Sequence, residues 1–368
     1  MRKIKVNFAD KGSGVFFTVL RKRVDEYFLK NKLSRHFNRA MVIKTIILLT
    51  AYLLPFITLL VVKPSFPLSM LLWSVMGISM AGIGMSIMHD ANHNAYSSNP
   101  KANYWLSCTA NLMGASIFNW RLQHNFLHHT YTNIIHIDDD IEDKLIMRFS
   151  PHTKVKWWHK LQFVYAFLFY GIITLYWVLL KDYVQFASYI KKGVNKNTKT
   201  QNRVVFSRLI LSKLVYFFII LIAPVFIFHL PVLWVLAGYL FMHFIAGVIL
   251  TVVFQLAHTV EGTSHPLPVN GTIENNWAIH QMNTTADFSP ENKWLSWYVG
   301  GLNFQVEHHL FPGICHVHYP EIAKIVKTTA TEYGIPHLEN STFSKALYSH
   351  IRMLKNFGQL PSVNEAIG

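Results

Sequence analysis

His124-Asn125-Phe126-Leu127-His128-His129 places three histidines within six residues. If this stretch is helical, His124 and His128 are one turn apart and project from the same face. His129 follows about 100° further round, so the three imidazoles can converge on one pocket. A single histidine beside apolar residues is usually a hydrogen-bonded core residue. Three at this spacing are costly to bury unless a metal ion binds them, so the stretch predicts a metal site.

Two further clusters repeat this spacing. His89-Asp90-Ala91-Asn92-His93 gives a second pair of histidines one helical turn apart, and Gln305-Val306-Glu307-His308-His309 has a glutamine in the leading position. His258, at the end of the last apolar run, and His280 bring the available histidines to nine. One metal ion cannot use nine imidazoles, but two can. Nitrogen ligands suit iron that reacts with O2, although zinc would bind them as well.

The composition is typical of an integral membrane protein. Of the 368 residues, 51% are hydrophobic and only 14% are charged, whereas soluble domains average about 25% charged residues. The formal net charge of +15 fits basic cytoplasmic loops and contact with anionic lipid headgroups. We expect no nucleic-acid binding, because the apolar runs dominate and no basic recognition helix is present.

Five apolar runs define the predicted membrane topology. The runs at 40–62 and 66–88 predict one hairpin of two membrane-spanning helices, and those at 206–228 and 231–256 predict a second. The run at 161–180 is predicted to be embedded or interfacial, because a third crossing would put the last histidine cluster on the opposite side from the others. The mixed segment between the first two clusters, 102–119, is predicted to form an interfacial helix.

The expected fold is therefore an all-α integral membrane protein with four transmembrane helices and a cytosolic helical cap that holds a di-metal site. Residues 181–205 carry six Lys or Arg, which places the histidine side and both termini in the cytoplasm. Within one domain, 1–368, we distinguish a basic N-terminal segment (1–39), a core (40–319) and a C-terminal segment (320–368). The N-terminal segment is either a surface-lying amphipathic helix or a solvated tail, and the C-terminal segment is expected to be a helix with a polar tail.

Several acidic residues and one asparagine lie near the histidine clusters in the sequence. The acidic run Asp138-Asp139-Asp140 is either a solvated loop or a source of hydrogen bonds that orient a ligating histidine. Asp90, Asn92 and Glu307 are better interpreted as hydrogen-bond partners of the ligands than as ligands themselves.

The patterns H-x-x-x-H, H-x-x-x-H-H and Q-x-x-H-H, in this order and interleaved with two apolar hairpins, resemble those of the membrane-bound fatty acid desaturase family over roughly residues 40–320. Gln305 resembles the first residue of the third cluster in front-end desaturases, which insert a double bond between an existing one and the carboxyl end. The closest likeness is to bacterial linoleoyl-CoA desaturase-like members. The resemblance implies metal ligands at His89, His93, His124, His128, His129, His258, His280, Gln305, His308 and His309.

The same resemblance implies the chemistry. Two irons would activate O2, two hydrogens would leave adjacent methylenes, and water would be released, with a cis double bond as the product. The substrate would be a fatty acyl-CoA or an acyl-lipid. Eukaryotic front-end enzymes often carry a fused cytochrome b5 domain with a His-Pro-Gly-Gly motif, which is absent here. We therefore expect a separate electron donor of the ferredoxin or cytochrome b5 type.

Two other functions remain open from the sequence. A di-iron hydroxylase of the same superfamily would share the metal site and would add an oxygen atom to its product. A histidine-rich membrane metal transporter belongs to a different class, and its ligands would lie along a path inside the membrane. In this chain the clusters lie just outside the apolar runs, which favours the desaturase.

Overall fold

The structure is a computed structural model and describes residues 6–9, 14–141 and 146–361. In chain order its helices are Gly14–Asn31 (α1), Arg39–Val62 (α2), Phe66–Asn92 (α3), Pro100–Ser107 (α4), Ile117–Trp120 (α5), His129–Tyr131 (α6), Trp157–Lys191 (α7), Lys199–Phe226 (α8), Val232–His258 (α9), Trp277–Thr284 (α10), Lys293–Tyr298 (α11), Gln305–Leu310 (α12), Tyr319–Glu332 (α13) and Phe343–Gln359 (α14). The described chain is mostly helical, as expected, and four two-residue strands add two parallel pairs: Asn7–Phe8 (β1) with Thr272–Ile273 (β2), and Asp287–Phe288 (β3) with Glu339–Asn340 (β4).

Five of the described helices, α2, α3, α7, α8 and α9, are long and apolar enough to cross a membrane. They coincide with the five predicted apolar runs, and the chain is a multi-pass membrane protein. Helix α7 has 35 residues, or about 50 Å of helix at 1.5 Å per residue, so it extends well beyond the predicted run at 161–180. The segment predicted to be interfacial is divided between α4, the 3-10 turn Cys108–Met113 and α5.

Contacts between Cα atoms divide the chain into two compact units. Unit 1 contains residues 38–121 and 167–252, and unit 2 contains residues 2–37, 122–166 and 253–368. The first and second histidine clusters fall in different units. That the whole chain is one domain stays a prediction.

In unit 1, helices α2 and α3 pack as the predicted hairpin. The side chain of Asn38 accepts a hydrogen bond from the Met41 backbone N–H at 3.0 Å and caps the start of α2. The hairpin then packs closely on α9, because a Cβ atom at Gly77 would lie 2.6 Å from the Met242 carbonyl oxygen. Small residues at such crossings let the backbones of membrane helices approach each other.

Unit 1 also buries an ion pair between its apolar helices. Lys213 Nζ lies 2.7 Å from Asp182 Oδ2, and the two side chains are 3% and 0% exposed. The Asp182 carboxylate also accepts hydrogen bonds from the Ser116 backbone N–H and the Trp177 indole, each at 3.0 Å. Because burying a charge is costly unless it is paired and hydrogen-bonded, this network fixes the segment around Ser116 to α7 and α8.

In unit 2, α1 confirms the amphipathic helix predicted near the N-terminus and excludes a solvated tail for residues 14–31. Its apolar side chains Phe16, Leu20, Val24 and Phe28 recur every four residues and are all buried. They pack against α13 in a protein core rather than on lipid. Residues 1–5 and 10–13 of the predicted basic segment lie outside the described residues.

The C-terminal segment of unit 2 is more structured than the predicted helix and tail. It contains α13, β4 and α14, and β4 pairs with β3 so that Asp287 lies opposite Glu339. Helix α14 packs on the start of α7, where the Gln162 amide donates a hydrogen bond to the Leu354 carbonyl at 2.7 Å. The expected polar tail, residues 362–368, lies outside the described residues.

Candidate metal centre

The second histidine cluster lies on a π-helical turn, Arg121–His128, that joins α5 to α6. The sequence predicted a regular helix whose three imidazoles converge on one pocket. In the wider turn, the ring of His124 lies 5.2 Å from that of His128 and 4.9 Å from that of His129. Single π-helical turns are frequent at functional sites because they change where side chains project.

Three histidines from separate elements of unit 2 meet in one buried group. His128 comes from the π-helical turn, His258 from the end of α9 and His309 from α12. Their ring centroids are 4.7 to 5.0 Å apart. The nitrogen atoms that the three rings offer lie within 4.8 Å of one another, a spacing that suits ligands of one metal ion.

The Nδ1 atom of each of these rings has a hydrogen-bond acceptor. His128 donates to Asp138 Oδ2 at 2.9 Å, and His309 donates to Gln281 Oε1 at 2.8 Å. His258 faces the carbonyl oxygen of Thr284 at 3.3 Å. A proton held on Nδ1 leaves the Nε2 lone pair available to a metal ion, and this is the usual arrangement of metal-binding histidines.

The remaining nitrogens fit a metal ion. Within the described residues, Nε2 of His128 and Nε2 of His258 are buried and have no hydrogen-bond partner. A buried polar atom without a partner costs about 1–3 kcal/mol. Two such atoms in one group, each on a ring fixed by its other nitrogen, are accounted for if the group coordinates a metal ion.

Three more histidines of unit 2 form a second ring cluster. The ring of His129 lies 4.5 Å from those of both His308 and His309, and His124 stacks on His308 at 5.8 Å. Nδ1 of His124 lies 3.2 Å from Asp140 Oδ2. Nδ1 of His308 lies 3.3 Å from the hydroxyl of Tyr319. Unit 2 therefore gathers six of the predicted ligands into two adjoining ring clusters.

Within the acidic run, Asp138 lies against a histidine ring and not in solvent. Asp138 is 1% exposed and also accepts a hydrogen bond from the Asn133 backbone N–H at 3.0 Å, which holds its carboxylate against His128. Burial alone would lower the pKa of His128, but the Asp138 carboxylate raises it above its ordinary value. A solvated loop is excluded for Asp138.

In unit 1, His89 and His93 lie together at the end of α3. Their ring centroids are 4.8 Å apart, and each packs edge-on against Trp120. A π-helical turn, Gly84–Met88, directly precedes His89. Asn92 donates to the Met88 carbonyl at 3.0 Å and accepts from Arg121 Nε at 2.8 Å, so it fixes this end of the helix. An oxygen of Asp90 lies 3.7 Å from Nδ1 of His89.

Two further predicted ligands of unit 2, His280 and Gln305, are buried on α10 and α12. His280 lies on α10, is 2% exposed, and packs against the ring of Phe8 at 5.1 Å. Burial lowers its pKa to about 4, so the ring is neutral at physiological pH. Gln305 is buried at the first position of α12.

Glu307 belongs to a separate buried group. Its oxygen lies 3.7 Å from His337 Nε2, and Asp287 Oδ2 lies 3.4 Å from the same nitrogen. Burial and the neighbouring Asp287 raise the pKa of Glu307 to about 8. Asp287 Oδ1 accepts a hydrogen bond from the Val306 backbone N–H at 3.0 Å, so this group holds the start of α12. Since α12 has only six residues, its orientation depends on such external contacts.

Sequence reasoning missed several residues that orient the site. Gln281 and Tyr319 hold His309 and His308, and Asp287 and His337 hold α12. None of them belongs to a recognisable motif. Gln281 follows His280 directly, and this proximity to a candidate ligand is the only signal that could have suggested it.

A model of the fatty acid desaturase family matches residues 65–341, which include all three histidine clusters. The chain belongs to the fatty acid desaturase family. It is therefore an oxidoreductase that acts on fatty acyl chains, and the resemblance noted in the sequence is confirmed.

Individual desaturases match nearly the whole chain. The chain is 35% identical over 360 residues to the sn-1 linoleoyl-lipid 6-desaturase of Synechocystis sp., covering 96% of this chain and 98% of that protein. It is 34% identical over 343 residues to the sn-1 linoleoyl-lipid 6-desaturase of Arthrospira platensis, covering 93% and 92%. It is also 34% identical over 362 residues to the acyl-lipid (8-3)-desaturase of Physcomitrium patens, covering 97% of this chain and 74% of that protein.

Proposed function

We propose that this chain is a front-end acyl-lipid desaturase with a di-iron centre. The observation that carries the proposal is the group of His128, His258 and His309, in which each ring is held at Nδ1 and the offered nitrogens lie within 4.8 Å of one another. Gln305 and the names of the relatives support the front-end position of the new double bond. Those names also favour an acyl-lipid substrate over an acyl-CoA.

The proposed ligands are the ten residues that the family resemblance implies: His89, His93, His124, His128, His129, His258, His280, Gln305, His308 and His309. The donor set is almost entirely imidazole, which iron accepts readily. When bound, the irons supply O2 activation and remove hydrogen from an unactivated C–H bond, which side-chain acids and bases cannot do.

The chain itself holds and orients these groups. Asp138 and Gln281 keep a proton on Nδ1 of His128 and His309, so that Nε2 of each ring would be available to a metal ion. The Tyr319 hydroxyl lies 3.3 Å from Nδ1 of His308 and fixes the orientation of that ring. We assign supporting roles to Asp90, Asn92 and Glu307 as well. Asp90 lies beside Nδ1 of His89, Asn92 fixes the end of α3 through Met88 and Arg121, and Glu307 belongs to the group that holds the start of α12.

The overall reaction balances with an external reductant. A –CH2–CH2– unit, O2, two electrons and two protons give a cis –CH=CH– unit and two molecules of water. The electrons come from a separate donor of the ferredoxin or cytochrome b5 type. An apolar path for the acyl chain is required, and each buried methylene contributes about 0.8 kcal/mol to binding.

For the membrane topology, we propose that α2 with α3 and α8 with α9 form the four crossing helices. Helix α7 then stays embedded or interfacial, which keeps all three clusters on one face of the membrane. The six Lys or Arg in residues 181–205 favour the cytoplasmic face for the site and for both termini. The chain acts as one domain, with residues 320–368 completing the cytosolic cap.

Product analysis tests the proposal directly. The chain is expressed in a host supplied with linoleate, and fatty acid methyl esters are separated by gas chromatography and mass spectrometry. We expect a new cis double bond between the first existing bond and the carboxyl end. A hydroxylated product would identify the hydroxylase instead. No new double bond in any C18 acid would contradict the proposal.

The metal is tested on the purified protein. We expect two irons per chain by elemental analysis, and a His128→Gln variant that folds but binds less iron. Expression of this variant in the same host separates desaturation by this chain from desaturation by host enzymes. Zinc as the tightly bound metal in active protein would contradict the di-iron assignment.

A further inference from the structure

The beginning of α7 exposes an apolar stripe. Trp157, Leu161 and Val164 follow one another at intervals of three to four residues and are 78%, 60% and 64% exposed. In a multi-pass membrane protein such a stripe contacts lipid tails, and an exposed tryptophan at the end of a membrane helix marks the water interface. The beginning of α7 therefore lies at the level of the lipid headgroups.

Three lysines lie close in sequence to the beginning of α7. Lys154, Lys156 and Lys160 are all exposed, and the described segment 146–166 contains no Asp or Glu. Each of the three lies within about two turns of Trp157, so its flexible side chain can place the ammonium group among headgroups while the methylene stem covers apolar surface. Lys156 Nζ lies 5.1 Å from the centre of the Trp158 ring.

Helix α14 adds a further cation at the same place. It is docked by the hydrogen bond from Gln162 to the Leu354 carbonyl, and by the buried guanidinium of Arg148, which donates to the Leu360 carbonyl at 2.9 Å. The exposed Lys355 then reaches the beginning of α7, where its Nζ lies 6.0 Å from the centre of the Phe163 ring. Helix α14 contains no acidic residue either.

We propose that this surface, the basic rim of Lys154, Lys156, Trp157, Lys160 and Lys355, binds the headgroups of anionic phospholipids. Within the described residues, none of its lysines forms a salt bridge with a carboxylate. Arg352 differs, because Glu261 lies 3.2 Å from its guanidinium and neutralises it. The rim's charges are therefore available to an external anion. Its position beside a lipid-facing stripe makes that anion a membrane phosphate rather than a soluble acidic protein.

The inference does not depend on the desaturase activity, and its test measures lipid binding. Full-length protein is purified in mild detergent and titrated with phosphatidylglycerol or phosphatidylcholine, and bound lipid is counted by native mass spectrometry. We expect the wild type to prefer phosphatidylglycerol and to lose the preference at high salt. Each Lys near an anionic surface is worth roughly fivefold in affinity, so Lys154→Gln/Lys156→Gln/Lys160→Gln/Lys355→Gln should reduce the preference at least tenfold.

A matched control separates the rim from net charge. The variant Lys30→Gln/Lys32→Gln/Lys324→Gln/Lys327→Gln removes the same charge from exposed positions of unit 2, and we expect it to retain the preference within twofold. Equal losses in both variants, or an unchanged rim variant, would overturn the proposal. If the rim variant with four substitutions fails to fold, Lys160→Gln/Lys355→Gln is compared with Lys160→Arg/Lys355→Arg. Only the first of these two variants should lose the preference for phosphatidylglycerol.

Discussion

Two histidines of helix α9 are equally buried and differently bonded. His243 and His258 are both 0% exposed. His243 has partners for both ring nitrogens, with Nε2 2.7 Å from the Tyr216 hydroxyl and Nδ1 3.1 Å from the Thr174 hydroxyl. His258 has one partner, the Thr284 carbonyl at Nδ1, and its Nε2 is buried with none in the described residues.

The difference shows how the chain uses buried polar groups. A fully satisfied side chain stabilises helix packing, as His243 and the Lys213–Asp182 ion pair do in unit 1. A side chain that is half satisfied, as His128 and His258 are in unit 2, is costly for a purely structural role and is explained by a ligand. Hydrogen-bond completeness, rather than burial, therefore separates His243 from His258 on this helix.

The largest predicted effect is the loss of metal when a half-satisfied histidine is replaced. His258→Gln should bind less iron and lose desaturation below detection, because its Nε2 no longer contributes to the group. His243→Gln is the matched control on the same helix, and should keep the iron content of the wild type at a cost of about 1–3 kcal/mol in stability. Elemental analysis, product analysis and thermal unfolding measure the three effects. Equal loss of iron from both variants would refute the distinction.

The buried ion pair of unit 1 should affect stability and leave the metal in place. Asp182→Ala leaves Lys213 as a buried, uncompensated charge, which costs about 3–5 kcal/mol. The double variant with Lys213→Met should recover most of the lost melting temperature, because both charges are then absent. Iron per folded molecule should match the wild type. Asp182→Ala protein that melts normally would show that the pair is not tightly coupled.

Asp138 tests whether the orienting carboxylate matters as much as the ligands do. Asp138→Asn keeps the size of the side chain but removes the negative charge beside Nδ1 of His128, and we expect about a 10- to 100-fold loss in metal affinity or activity. Asp139→Asn changes the neighbouring carboxylate and should have a much smaller effect. Competition with a chelator measures the affinity, and identical behaviour of the two variants would contradict the role assigned to Asp138.

The apolar runs and the histidine spacing could be predicted because both depend on residues close in sequence. All five runs are helices that can cross a membrane, and the clusters lie on helical turns. The π-helical turns were not foreseen, because a run such as Arg121–His128 has no composition that distinguishes it from an α-helix.

Contacts between distant segments could not be predicted in the same way. From the sequence alone, Asp138 was either a solvated residue or one that orients a ligating histidine. The structure places its carboxylate against His128. Gln281 reaches His309 across 28 positions of sequence, and His337 reaches Glu307 across 30, with no motif to mark either. In the sequence, His258 differs from His243 only in its place at the end of the apolar run. The side chains that approach the two rings come from distant segments and could not be predicted.

The buried histidine His350 should make the stability of the protein depend on pH. It is fully buried on α14, and its Nδ1–H donates to the Thr259 carbonyl at 2.8 Å. Burial lowers its pKa to about 4, below the value of about 6.5 expected in the unfolded chain. Between these two pH values the unfolded chain binds more protons than the folded chain. The contribution of the neutral His350 ring to the free energy of unfolding is therefore fully present above pH 6.5 and is lost as the pH falls toward 4.

At pH 5 the free energy of unfolding should be about 2 kcal/mol lower because of this one residue. His350→Gln cannot take up a proton and should therefore show a smaller fall in melting temperature between pH 7.5 and pH 5 than the wild type. His229→Gln replaces an exposed histidine and should leave the pH dependence unchanged. If the melting curves of His350→Gln and the wild type fall in parallel, the neutral ring of His350 does not contribute to acid sensitivity. His265, a half-buried histidine of unit 2 whose pKa burial also lowers to about 4, is then the next residue to test in the same way.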